Sequence, residues 1–593
     1  MSPTAIPGNL ILQSPTANDP LLDLNTQPSL DLQFATSKTL DDRVSGFPLV
    51  NHQRDASSGK SAGTYAGSDG LIKTSPVNLL TYSERFDQGA WTKVNSTITP
   101  NSTTSPDGTL SADTFTINSG DVFARIDRRN LGLASNVYTL SYYLKNTVKQ
   151  GTHSIEFYDS SLNGFVAVPS GIVGESNPEW RRIIATVDCS ASGLSGLNEI
   201  RLVFRPSPSP SDGTNTVNLW GAQLEEGSTA STYIPTTTTI SGAPRFDHDP
   251  VTGESLGLLI EESRTNQFTH SDFGNSTWVA NSITKKSTNN PAPDGSNTAV
   301  LIGDATGAPT ASYLDENLNL VGGGIQTFTF YAKGTTTGQS AFIDYFDNGA
   351  NRTRASISLD DGTVGNYLVV GDGVITSTDA GNGWWRCQLT ITPIGTGVYE
   401  WRAGNNDSGD IYVWGAQVEA GSFPTSYIPT SGSTVTRAAD VASIEGTNFS
   451  SWFTQNTGTV FVEASLQSPA SSGQSPIVSI DNSGADYRAI ARRANVGVRS
   501  TSSTDLIDVT GAIWDGEKKK IAATWVPNDC ALVDDGVLVG TDTSTNSPLT
   551  TVNQMGIGYV NSGGFFTRMG GHMSRLTYYP YRLADATLQE ITS

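Results

Sequence analysis

Cysteine, histidine and positive charge are scarce in this 593-residue chain, and each scarcity removes a class of chemistry. The three cysteines, at 189, 387 and 530, are odd in number and far apart, which argues against a disulfide framework and reads as three small buried residues. The five histidines, at 52, 153, 248, 270 and 572, fall in different segments without metal-ligand spacing. Lys and Arg number 36 against 57 Asp and Glu, and the net charge of −21 argues against nucleic acid, which needs clustered basic residues, and against anionic membranes. The one basic run, "EKKK" at 517–520, reads as an exposed turn or strand edge. No window approaches the ~18 apolar residues of a membrane helix, and the opening "MSPTAIPGNLILQSPTANDP" lacks an export pattern, so the expectation is a soluble protein without membrane insertion or a secretory address. Catalytic signatures are missing too: no G-x-S-x-G, no H-E-x-x-H, no Walker loop, no G-x-G-x-x-G after a strand. Glycoside hydrolysis needs two facing carboxylates, and nothing singles out a pair. The expectation is a protein that is not an enzyme.

What the chain does contain is a repeat. "WGAQLEEGSTASTYIPT" (220–236) and "WGAQVEAGSFPTSYIPT" (414–430) agree at 11 of 17 positions without a gap. Upstream, "NLLTYSERFDQGAW" (78–91) matches "TNQFTHSDFGNSTW" (265–278), "SPDGT" (105–109) matches "APDGS" (292–296), and "YTLSYYLK" (138–145) matches "FTFYAK" (328–333). A late tryptophan follows in "EWRRIIATV" (179–187) and "WWRCQLTI" (384–391). Apolar residues alternate in "TLSYYLK", "HSIEFY" and "IIATV", and Gly, Asn, Asp and Pro punctuate the chain roughly every eight to twelve residues, the signature of half-buried strands rather than helices. About eight strands per repeat fit a two-sheet sandwich. Beyond residue 450 the pattern changes: "KKKIAATWVPNDCALVDDGVLVG" predicts strands about a tight turn at Asp535-Gly536, and Ala584–Ile591 is the one helix predicted. The fold class is therefore all-β, tandem antiparallel β-sandwiches of jelly-roll type with an extended N-terminal arm. The boundaries are arm 1–77, repeat 78–236, linker 237–265, repeat 266–430 and a third sandwich over 431–593.

Sugar recognition uses aromatic faces flanked by amides and carboxylates, and the candidates are Trp180, Trp384, Trp385, Tyr399 and Trp401. Trp91, Trp220, Trp278 and Trp414 read as core. Adjacent strand residues point to opposite faces, so Trp384 and Trp385 do not both enter one core, and one of them is expected to be exposed or at an interface. "RFDHDPVTGE" (245–254) is the densest set of oxygen donors. Asp247, Asp249 and Glu254 are candidate Ca²⁺ ligands, and a turn whose Asp side chains accept backbone N–H bonds explains the cluster equally well.

The phrases "NLLTYSERFDQGAWTK", "WGAQLEEGSTASTYIPT" with its copy, and "PRFDHDPVTGESLGLLIEESRTN" (244–266) resemble those of tailed-bacteriophage virion proteins, particularly tail and fibre-like proteins carrying carbohydrate-binding-module-like jelly rolls. "IAATW", "VDDGVLVG" and "RLTYYPYRLADATLQEIT" make the C-terminal section similar to concanavalin A or laminin-G-like domains. The resemblance implies an adhesin on the virion exterior, on tail or capsid, made in the host cytoplasm, trimeric and binding host-surface glycan, with a structural Ca²⁺ left open for each module. A capsid decoration or head-fibre protein without sugar binding, and a virion-associated polysaccharide-degrading enzyme, are the alternatives. The arm would meet other virion proteins, with "SLDLQFATSKTL" able to add a strand to a neighbour's sheet. In similar proteins "DGLIK" runs almost directly into "PRFDHDP", so residues 78–236 read as an insertion. That reading requires contact between 60–76 and 240–262.

Overall fold

The computed structural model describes residues 27–593 apart from 58–59, 119–120, 122, 147–151, 160–164, 170–176, 206–215, 305–311, 321, 348–351, 370–371, 407–408, 468–474, 483–486, 494, 500–504, 511–516, 544–551 and 560–567. The opening "MSPTAIPGNLILQSPTANDP" lies outside the described residues. Two compact units form, His52–Val441 and the residues up to Asn51 together with Ala442–Ser593.

In the His52–Val441 unit the first repeat is a sandwich of two five-stranded antiparallel sheets. One runs Asn177–Asp188, Val137–Asn146, Thr216–Glu226, Ala112–Ile117, Ser96–Thr103, and the other Phe165–Pro169, Thr152–Tyr158, Glu199–Arg205, Ala124–Arg128, Trp91–Val94. The second repeat has six strands per sheet: Ile283–Asn290, Ala299–Asp304, Asp410–Ala420, Gln326–Gly334, Trp385–Ile391, Val374–Asp379 facing Val279–Asn281, Tyr313–Leu320, Gly397–Asn405, Ser340–Phe346, Arg352–Ser358, Val364–Val369. These exceed the eight strands expected because short edge strands such as Val279–Asn281 carry too few apolar residues to alternate visibly. Each repeat fills its own core, one around Leu140, Phe157, Leu202 and Phe115, the other around Phe328, Phe330, Ile343 and Trp401.

The repeated phrase is a clasp that closes each sandwich. Gly221 and Gly415 sit at φ of 63° and 67° in register shifts of the ladder, and a Cβ there would lie 3.1 Å from Tyr143 and 3.2 Å from Tyr331. These bulges turn Trp220 and Trp414 outward against Tyr143 with Tyr233 and Tyr331 with Tyr427. Both indoles are buried, but on the outer face beneath the returning "YIPT" rather than in the core, where Trp91 and Trp278 lie as expected. Gln223 Oε1 accepts from Ile234 N at 2.6 Å, and Gln417 Oε1 from Ile428 N at 2.7 Å. Asn78 and Asn266 hold the other end, each donating to two carbonyls, of Ala222 and Ile234 and of Ala416 and Ile428.

The chain enters and leaves each repeat side by side. Val77–Asn78 pairs antiparallel with Ser241–Gly242, and Arg264–Asn266 with Val435–Arg437. Residues 60–76 and 240–262 are in contact, as the insertion reading requires: Arg245 donates to the Thr64 carbonyl at 2.9 Å, Ala66 N to Asp247, and Ser75 to the Ala243 carbonyl at 2.8 Å. Residues 237–265 are therefore no bare linker. They carry the strands Arg245–His248 and Ser255–Ile260 and supply Arg245 and Glu261 to a fully buried ion network. In it Asp440 bonds Arg54 at 2.7 Å and Arg245 at 2.5 Å, while Glu261 bonds Arg245 at 2.6 Å and Arg437 at 3.1 Å. Burial alone would raise the Glu261 carboxyl, but Arg437 and Arg245 hold it at about 2, and Asp440 likewise lies well below its ordinary value.

In the other unit one sheet contains Gly571–Tyr579, Gly458–Leu466, Lys519–Val526, Asp529–Asp534 and Val537–Asp542, and the other Gln554–Ile557, Ser475–Asp481, Tyr487–Arg493, Asn495–Arg499 and Asp505–Thr510. Asp535 and Gly536, at φ of 45° and 75°, form the predicted hairpin turn. The helix Asp585–Ile591 follows, burying Leu588 and Ile591 against Phe461 and Val533. Two single-turn helices, Phe34–Ser37 and Gly446–Ser450, were not legible, being too short to show a 3.6-residue period. The segment expected to extend a neighbour's sheet is already used: Leu30–Leu32 pairs with Leu576–Tyr578 of its own chain, and buried Asp31 is held by Arg575 at 2.9 Å and Thr577 at 3.0 Å. An edge on the same chain is always at hand, which a neighbour's is not. All three cysteines are buried thiols with no disulfide among them.

Candidate functional site

The sheet faces turned away from the two cores carry a matched constellation. In the strands Glu199–Arg205 and Gly397–Asn405 the sequences "EIR" and "EWR" put a carboxylate and a guanidinium two residues apart, hence on one face. Arg201 and Arg402 lie opposite Asp127 and Asp315 on one neighbouring strand and opposite Glu156 and Asp344 on the other. Each guanidinium is therefore fixed among three acids.

The second repeat elaborates this into a row of rings and cations. Arg402 bonds Glu400 twice, at 2.5 and 2.7 Å, reaches Asp344 at 3.4 Å, and lies over Tyr313 and Phe346 at 4.4 and 4.9 Å. Arg354 covers Phe342 at 4.2 Å, and Phe342 meets Tyr313 edge-on at 6.3 Å. Phe342 lies flat across Gly404, where any Cβ would strike its ring. In the first repeat Arg201 bonds Glu199 at 2.6 Å and stacks on Tyr158 at 3.7 Å, while Arg125 and Arg129 hold Asp127 at 3.0 and 2.5 Å. Burial works against the charge on Arg402, but Glu400 and Asp344 outweigh it and hold the group protonated above its usual value. Chemically the face offers the half-buried rings of Tyr313, Phe346 and Tyr158, with Phe342 fully buried beneath, beside oriented N–H donors and carboxylate acceptors, groups that stack on a sugar ring and bond its hydroxyls.

The sequence candidates fall differently. Tyr399 and Trp401, at 4% and 0% exposure, belong to the core of the second repeat and present no face to a ligand. In Gly397–Asn405 they take the inward positions, and the outward Glu400 and Arg402 were missed; the "E-x-R" spacing shared by both repeats was the available signal. Trp384 and Trp385 do point to opposite faces, yet neither stands open. Trp384 is buried in an outer cluster with Trp414, Tyr331 and Tyr427 against Ile72, an interface within the chain. Trp385 packs at the edge of the core with its Nε1 donating to the Leu359 carbonyl at 3.0 Å. Trp180 alone of the five keeps a partly exposed ring without core contacts, its Nε1 on the Thr104 carbonyl at 3.0 Å.

Of the candidate Ca²⁺ ligands, Asp249 serves the turn and Asp247 holds Ala66. Asp249 Oδ1 accepts from Val251 N and Thr252 N, both at 2.8 Å, which accounts for its lowered pKa, and Asp247 accepts from Ala66 N. Glu254 meets Asp249 only through its backbone carbonyl, at 2.8 Å. Among the described residues no three His, Cys, Asp or Glu side chains are grouped to hold a metal ion.

Four carboxyls of this unit titrate near neutrality. Burial raises Glu84 and Glu316 to about 7 and Asp113 and Asp315 to about 6, with neighbouring acids adding to all but Glu316. A carboxyl raised on folding contributes stability that is full below its unfolded value near 4 and lost as pH rises through the folded value. The melting temperature of the 52–441 unit is therefore expected to fall between pH 5 and pH 8, measurable by a thermal scan at each pH; a flat profile would contradict these burials.

No protein-family profile matches the sequence, and no curated protein matches it. Solved structures similar to parts of it include the CBM40 of the Ruminococcus gnavus IT-sialidase bound to α2,3-sialyllactose, at 17% identity and TM-score 0.22 over 23% of this chain and 83% of that one. A second is the CBM22-1-CBM22-2 tandem of Paenibacillus barcinonensis Xyn10C, at 13% identity and TM-score 0.19 over 62% of this chain and 100% of that one. A third is the LG1-3 region of the laminin alpha2 chain, at 10% identity and TM-score 0.18 over 78% of this chain and 96% of that one. What this chain is similar to, then, is a set of β-sandwich domains, carbohydrate-binding and laminin-G-like ones among them.

Proposed function

We propose that the protein is a non-enzymatic attachment protein, displayed on the outside of a tailed-bacteriophage particle, that binds host-surface glycan through the outer sheet faces of its two repeats. The observation that carries the glycan reading is the duplicated site. Two modules that differ over most of their length keep the same Asp–Arg–acid row, with an aromatic ring beside the arginine, on the same face. The virion setting and a trimeric state rest on the resemblance of the repeated phrases alone. Weak single sites joined on one chain, and multiplied by copies on a particle, give retention through effective concentration rather than through any one tight contact.

Purified protein is expected to pull down host cells or their extracted polysaccharide without releasing reducing ends. Arg402→Ala, which strips the donors from one site, is expected to weaken retention about thirtyfold, the loss of two charge-assisted hydrogen bonds at roughly 1 kcal/mol each. Release of reducing ends would favour a polysaccharide-degrading enzyme, and binding to neither cells nor polysaccharide would favour a decoration protein.

A further inference from the structure

The two repeats are unequal at the face of the other sheet, and the difference is made by the chain itself. Ladder registers equate Trp180 with Trp384, each two residues before the arginine opposite Tyr143 or Tyr331, and Lys145 with Lys333, each two residues after that tyrosine. In the second repeat this face is closed. Ile72 packs on the Trp384 cluster and donates its N–H to the Pro293 carbonyl at 2.9 Å, Thr64 Oγ1 donates to the Tyr427 carbonyl at 2.7 Å, and Lys333 is spent on the Asn382 carbonyl at 2.8 Å. The second repeat also has Tyr412 and Leu301 where the first has Asn218 and Thr114, an apolar surface suited to the segment lying on it.

In the first repeat the matched positions are polar, and Trp180 is partly exposed. Lys145 Nζ stands 5.8 Å from the Trp180 ring centre. Lys145 lies opposite Asn218, Asn218 opposite Thr114, and Thr114 bonds Ser102 at 2.5 Å, so that the row spans all five strands of the sheet, from a ring through a cation to an amide and two hydroxyls. Arg182 stands on the same face, 5.7 Å from the Tyr143 ring. On a chain of net charge −21, two cations beside a partly open indole favour a ligand that is flat, rich in hydroxyls and negatively charged.

We infer that this row on the first repeat is a second saccharide site, absent from the second repeat because residues 64–72 cover it there, and that its ligand is an oligosaccharide bearing a carboxylate, the sugar ring stacked on Trp180 and the carboxylate at Lys145. The inference rests on the glycan-binding reading and assigns it a further site and a ligand class.

The test measures affinity of the full chain for oligogalacturonate, as acidic probe, and for a neutral oligoglucan of equal length. Expected is preference for the acidic probe, a loss of tenfold or more in Trp180→Ala, loss of the acidic preference in Lys145→Ser, and no change of affinity in Trp384→Ala, which instead lowers the melting temperature. Lys145→Ser alters a surface side chain and keeps the test valid if Trp180→Ala folds poorly. A Trp180→Ala protein that folds and binds as the parent does, or an equal affinity for both probes, overturns this inference and leaves the Arg201 and Arg402 sites standing. A parent protein that binds no saccharide in this assay or in the pull-down overturns both.

Discussion

Asp440→Ala is expected to lower the stability of the 52–441 unit by about 3–5 kcal/mol, the cost of breaking a buried ion network by removing one partner. Asp440 is fully buried and holds three groups at once, Arg54 at 2.7 Å, Arg245 at 2.5 Å and the Glu261 backbone N–H at 2.9 Å, with His52 at 3.4 Å beside them. Without it Arg54 keeps only neutral partners, namely the Ala62 and Ala243 carbonyls and Ser75. Burial already draws the Arg54 guanidinium down to about 10 despite Asp440, so losing the carboxylate leaves a charge that neither solvent nor a counter-ion relieves. Urea denaturation followed by tryptophan fluorescence measures the loss. A change below about 1 kcal/mol would mean that the network is solvated. The same network sets the acid limit. Glu261 and Asp440 are depressed on folding, so their stabilisation is full above the unfolded values near 4 and is lost as pH falls from there towards about 2. Together with the carboxyls raised to between 6 and 7, whose contribution is lost as pH rises above the same unfolded values, this places the stability maximum near pH 4.

Asn266→Ala is expected to cost about 4 kcal/mol, and Asn78→Ala about the same, because each amide satisfies four buried backbone groups at roughly 1 kcal/mol or more apiece. Asn266 donates to the Ala416 and Ile428 carbonyls at 3.1 and 2.9 Å and accepts from Phe268 and Val418 N, both at 3.2 Å. Asn78 does the same with Ala222, Ile234, Leu80 and Leu224. Alanine removes the partner and leaves the four groups shielded from water. Differential scanning calorimetry of the two variants checks both the size and the equality of the losses. If one variant were nearly silent, the repeats would not share a closing device, and the matched phrase would need another explanation.

The strands were legible because alternation in "TLSYYLK" or "IIATV" follows directly from burial on one face, and the clasp announced itself by being spelled twice. The sites were less legible. "EWR" at 400–402 was read for its tryptophan, the largest aromatic surface in reach, although a period of two places that tryptophan inside and its neighbours outside. Choosing between the two faces required knowing where the core lay. The ion network was hidden for a different reason: Arg54 and Asp440 stand 386 residues apart, and no local pattern marks either as buried.

From its sequence alone this chain was fixed as an all-β protein with a duplicated sandwich and a closing C-terminal helix, since periodicity, turn residues and repetition act over a few residues and need no tertiary knowledge. Tertiary structure decided which aromatic residues meet solvent. Trp180 and Trp384 occupy equivalent positions, two residues before the matched arginine, and one is partly open while the other is covered because a segment some 310 residues earlier folds over only one of them. Exposure depends on what lies above a side chain, and that is set by contacts between distant parts of the chain rather than by the residue's neighbours in sequence.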